Sequence, residues 1–168
     1  MSTTRSRALL TIAVVLVLGA VNWSIIAKER IKTQGERIFL ALAPVDPRSL
    51  MQGDYMALRF KAADEAFGRD RGKQAEDGRI VVKVDERGVG AYRRRDAGEP
   101  LAAGEVALRY RVREGKAKFA TNAFFFQEGT GQIYARARYG EFRVAPSGDL
   151  LLTHLRGEKL ERLGPPRG

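Results

Sequence analysis

The 168 residues carry 30 Lys and Arg against 20 Asp and Glu, a formal net charge of +10, with no cysteine and a single histidine, His154. The missing thiols exclude disulfides, thiolate nucleophiles and cysteine-bound metal, and one histidine excludes a two-histidine metal site within the chain. No pattern in the sequence calls for a cofactor or a metal, and the basic surplus favours anionic partners.

Residues 8–27, ALLTIAVVLVLGAVNWSIIA, contain no charge. As a helix rising ~1.5 Å per residue they span about 30 Å, the thickness of a bilayer's hydrocarbon core. Trp23 suits the interface at the C-terminal end, and Lys28, Arg30 and Lys32 follow within reach of head-group phosphates. A cleaved signal peptide usually has a shorter apolar core of ~7–15 residues and a small-x-small site before the charges, which is not clean here. A buried soluble helix would show a polar face, and this block has none. The reading is therefore a transmembrane signal anchor. Arg5 and Arg7 place residues 1–7 in the cytoplasm, although basic residues flank both ends. The domain then lies outside the inner (cytoplasmic) membrane, as a periplasmic or extracellular unit. Residues 28–37 form a juxtamembrane linker.

Past the anchor, apolar runs of strand length alternate with turn signals. Residues 38–43 are a candidate strand closed by Pro44 and Pro47. Residues 55–61 are the next, with Tyr55, Ala57 and Arg59 on one face and Met56, Leu58 and Phe60 on the other. Residues 62–78 read as a loop or short surface helix. Residues 79–85 are the clearest strand, turned by Glu86-Arg87-Gly88 into a hairpin partner at 89–95. Residues 105–113 alternate, and Glu114-Gly115 turns them into a strand at 116–126. Residues 132–139 have helical propensity and end at Gly140. Strands at 141–145 and 150–154 flank the turn Pro146-Ser147-Gly148-Asp149, and 164–168 is a tail. The fold class expected is mainly β: the N-terminal transmembrane helix, then at 38–163 an antiparallel β-sandwich or barrel-like domain with one short helix.

Gly53-Asp54-Tyr55, with Leu58 and Phe60 at the fixed spacing that follows, resembles the motif of the GDYXXLXY proteins, a family of membrane-anchored bacterial proteins. Phe60 stands where that motif has Tyr, a mild change if the side chain packs as an aromatic. The run Phe124 to Gly129 and the later Tyr134, Ala137, Arg138, Tyr139 and Gly140 share the likeness. The resemblance implies an envelope protein without an established activity or catalytic residue.

The motif has a plain structural explanation. Gly53 supplies a positive φ, Asp54 caps a turn, and the aromatic and Leu side chains pack. The functional reading is that Asp46, Gly53, Asp54, Tyr55, Leu58 and Phe60, with Phe126 and Glu128 of the later segment, form a rim that binds another membrane or periplasmic protein. Glu128 is also an ordinary turn residue, and His154 reads as structural. Phe124, Phe125 and Phe126 cannot all face one core from a regular strand. Two alternatives remain. Ser49 to Asp54 loosely resembles the segment around the nucleophile of membrane-anchored signal peptidases, with Ser49 as nucleophile and Lys83 as a base that must be desolvated. The arginines at 93–95 and at 109, 111 and 113 form either a solvated strand face or a surface drawn to anionic lipid or polymer. No nucleic-acid-binding motif accompanies them.

Overall fold

The computed structural model describes residues 3–43, 51–52, 55–68, 76–113, 116–119, 121 and 123–165. Helix α1 runs over Thr3–Gln34, well past the apolar block at both ends. Its large apolar side chains from Leu10 to Ile26 are 50–78 % exposed all round the helix. Leaving some eleven such groups in water forfeits on the order of 10 kcal/mol of burial, comparable to the whole stability of a small domain. Thr11 Oγ1 and Asn22 Nδ2 donate back to the carbonyls of Arg7 and Leu18, each at 3.0 Å. Each of these side chains thus places a donor on the helix's own backbone. The described residues contain one helix long and apolar enough to cross a membrane, by length and composition.

Gly35 ends the helix. Its N–H donates to Ile31 O at 3.0 Å, and a Cβ there would meet the Arg143 Cβ and the Val144 N at 3.1 Å. The smallest residue therefore lets the end of α1 rest on the domain, and β1 (Glu36–Ala41) starts at once.

The domain is mainly β, as the strand-length runs imply. Strands β1, β4 (Gly78–Val84), β5 (Val89–Arg95), β6 (Glu105–Arg113), β7 (Lys116–Lys118), β9 (Tyr139–Val144) and β10 (Leu150–Arg156) form one sheet. Its order is β10-β9-β1-β5-β4-β6-β7. A smaller sheet is ordered β2-β3-β8, from Met51–Gln52, Tyr55–Ala57 and Ala123–Phe125. All described pairs are antiparallel except β1 with β5, which run parallel with Phe39 opposite Val89 and Leu40 opposite Gly90. The turn between β9 and β10 reaches β6, where Gly148 O accepts the Arg109 N–H at 2.8 Å. A turn at one edge touching a strand near the other means that the seven-stranded sheet curls.

Inside the curl Ile38, Leu40, Ile80, Val82, Leu108, Phe142 and Leu155 are fully buried. Each contributes roughly 1.5–3 kcal/mol of transfer free energy. The smaller sheet closes the same core with Met56 and Phe124. Two short helices are described in the domain rather than one, α2 (Lys61–Phe67) and α3 (Gly131–Tyr134). The strand expected at 116–126 is two strands with different partners, β7 on β6 and β8 on β3. Thr121 sits between them, donating to the Ala123 carbonyl at 2.8 Å and accepting the Ala123 N–H at 3.1 Å, which turns the chain from one sheet to the other.

Candidate functional site

Strand β3 alternates as its residue types predict. Met56 is buried, Tyr55 and Ala57 are half-buried, and the chain continues with buried Leu58 and Phe60 flanking half-buried Arg59. Leu58 and Phe60 are 3 % and 2 % exposed. Phe60 packs edge-on against Phe142 with ring centroids 5.2 Å apart, and its Cε1 lies 3.0 Å from where a Cβ on Gly140 would stand. Phe60 also opens α2: its carbonyl accepts the Ala63 N–H at 2.9 Å. Arg59 Nη2 reaches Asp64 Oδ2 in the first turn at 2.8 Å, favourable at a helix N-terminus. The void beside these residues is about 20 Å³ and lined by Leu58, Arg59, Asp64 and Phe119 among others. That is room for one water and not for a ligand.

On the opposite face the register sets Tyr55 directly across from Phe125, while on the core face Met56 stands across from Phe124. The two segments singled out in the sequence, some seventy residues apart, are thus neighbours in one sheet. The three phenylalanines divide their roles. Phe124 is buried and packs on Tyr134 at 5.0 Å. Phe125 is 65 % exposed beside the Tyr55 ring at 5.8 Å. Phe126 stacks on Tyr134 at 5.4 Å. Glu128 is exposed at the tip of the following turn, which Thr130 holds by donating its N–H to Gln127 O at 3.0 Å and Gly129 permits with a φ of 78°. Asp46, Ser49, Gly53 and Asp54 lie outside the described residues.

Lys83 is exposed on β4 and donates its ammonium to the Ala103 carbonyl. The desolvated setting required of a lysine general base is missing there.

One grouping escaped the sequence reading. Glu141 is a buried acid, 4 % exposed, on the outer face of β9. Arg156 on β10 donates Nε to its Oε2 at 2.6 Å and places Nη2 on the same oxygen. His154 Nδ1 stands 3.7 Å from that oxygen. The guanidinium groups of Arg37 and Arg156 each sit 5.8 Å from the centroid of the Phe39 ring. Beside this cluster, a cleft of about 330 Å³ opens between Lys32 of α1 and Arg143, Leu151, Leu152 and His154 of the sheet.

The sequence pattern of the GDYXXLXY protein family matches residues 17–155. The chain belongs to the GDYXXLXY family. The match starts inside α1 and ends in β10, so it takes in the described strands, β10 to its last residue but one, as well as the motif. No curated protein and no solved structure matches the chain at a significant level. Within the family motif, Tyr55 is the aromatic that stays partly open, whereas Leu58 and the departing Phe60 are core. The Phe60 ring packs against Phe142 within the hydrophobic core, a setting that suits an aromatic without a hydroxyl.

Proposed function

We propose that this GDYXXLXY protein is a single-pass protein of the inner membrane, anchored by α1 with its β domain on the periplasmic or extracellular side, and that the domain binds another membrane or periplasmic protein. The binding surface is the rim where β3 meets β8. The observation that carries the reading is the exposed Phe125 paired with Tyr55, an aromatic pair on a sheet whose underside is core. Large aromatic side chains held on a scaffold make efficient contact anchors, because little conformational entropy is lost on binding. Leu58 and Phe60 support this surface from below, and Phe126 and Glu128 border it. Asp46, Gly53 and Asp54, which lie outside the described residues, are the motif residues proposed to join it.

The test is site-specific photo-crosslinking in intact membranes. A photoreactive residue at Phe125 should give a discrete crosslinked product, and the same residue at Arg111 on β6 should not. Identical patterns from both positions, or no product at Phe125, would remove the rim as the binding surface. A Ser49 and Lys83 hydrolase gains no support from an exposed Lys83.

A further inference from the structure

We infer that the cleft between the end of α1 and the outer face of β9 and β10 holds the phosphate of an anionic phospholipid head group. The inference rests on the anchor reading and adds a site to it. If residues 8–27 fill the hydrocarbon core, Lys32 stands five residues, about 7.5 Å of helix, beyond it. The head-group layer of each leaflet is roughly 5–8 Å deep, so the cleft opens at its outer margin.

Charge argues for an anion. The register places Arg37 on β1 directly opposite Arg143 on β9. Like charges opposite each other on one sheet face repel, and an anion held at Arg143 in the cleft relieves that repulsion, while Arg37 lies beside the Phe39 ring outside the lining. Arg143 Nη1 donates to Gly35 O at 3.1 Å, which ties its guanidinium to the helix end and aims it at the same region as Lys32. Among the described residues none of Lys32, Arg37 and Arg143 is in an ion pair. Glu141 is the carboxylate lining the cleft, and Arg156 already engages it. Leu151 and Leu152 supply an apolar wall that suits the glycerol and upper acyl segment of a lipid better than a free, fully hydrated phosphate.

The test uses the full chain reconstituted in phosphatidylcholine vesicles with trace spin-labelled phosphatidylglycerol or spin-labelled phosphatidylcholine. The motionally restricted fraction should favour phosphatidylglycerol severalfold. Lys32→Gln, an exposed change that leaves the fold intact, should bring the two lipids close to equal restriction. Arg143→Gln should do the same, and Arg111→Gln should leave it unaltered. Equal restriction of both lipids, or a preference that survives Lys32→Gln and Arg143→Gln, would overturn the site. So would a preference abolished by millimolar inorganic phosphate, which would mark a small-anion site. Protein that does not float with the vesicles would overturn the anchor itself, whereas protein that floats without a preference overturns the site alone.

Discussion

Tyr55 and Phe125 face each other across the β3–β8 pair with their rings 5.8 Å apart, and through them the family motif and the triple phenylalanine meet in one sheet. Because Phe125 is 65 % exposed, its removal loses little burial. Phe125→Ala should lower stability by no more than about 1.5 kcal/mol, the worth of an aromatic pair, as read from urea unfolding. It should nevertheless abolish the photo-crosslink formed from a neighbouring rim position such as Glu128. Unaltered crosslinking from Glu128 would show that the rim binds without its aromatic centre.

Phe60 and Gly140 form the opposite case, a contact that is all packing. Phe60→Ala should cost about 3–5 kcal/mol. Gly140→Ala puts a Cβ 3.0–3.1 Å from Phe60, Leu152 and Phe142 at once and should cost about 1–3 kcal/mol by overpacking. Thermal unfolding of both variants checks this. A neutral Gly140→Ala would mean that β9 is free to shift away from Phe60.

Arg156 is half-buried and its partner Glu141 buried, unlike the exposed Lys61 and Glu65 on α2. Arg156→Met leaves a carboxylate buried without its charge partner and should cost about 3–5 kcal/mol. Lys61→Met should cost less than about 0.5 kcal/mol. Chemical denaturation of the two variants side by side gives the contrast.

Glu105 provides an acid-sensitive element. The Ala102 N–H that donates to its carboxylate at 3.1 Å, aided by Arg94 Nη2 at 3.1 Å and by Lys83, lowers its pKa against the opposing effect of desolvation. A carboxyl whose folded pKa lies below its unfolded one stabilises the fold above the unfolded value, and that contribution is lost as pH falls through the folded value. Stability of the wild type should therefore decline on acidification below the ordinary glutamate range, and Glu105→Gln should flatten part of that decline. An unchanged pH profile in the variant would remove Glu105 as a source.

What the sequence made legible was local. The alternation of Tyr55, Met56, Ala57, Leu58, Arg59 and Phe60 gave the correct inner and outer faces, and Glu86-Arg87-Gly88 marked the β4–β5 turn, where Gly88 takes a φ of 82°. Pro146 to Asp149 marked the β9–β10 turn in the same way. The parallel pairing of β1 with β5 was hidden because it joins segments separated by nearly fifty residues, and no local signal encodes such a crossover. Gly140 looked like a helix stop after residues 132–139. It lies in β9, chosen for its lack of a side chain beneath Phe60, and α3 ends at Tyr134 instead.

The site was legible to the same degree. The two segments of the rim stood out by composition, and only the register showed that they meet. Glu141 gave no signal, since a single acid in a strand looks solvated until its partner fifteen residues on is known.

The central claim is that α1 lies in a membrane and holds the β domain at its surface. The most direct measurement is alkaline carbonate extraction of cells producing the full chain with a C-terminal tag, followed by sedimentation and intact-mass analysis. The account predicts an uncleaved chain in the membrane pellet. Full-length protein in the supernatant with residues 8–27 still attached would contradict it.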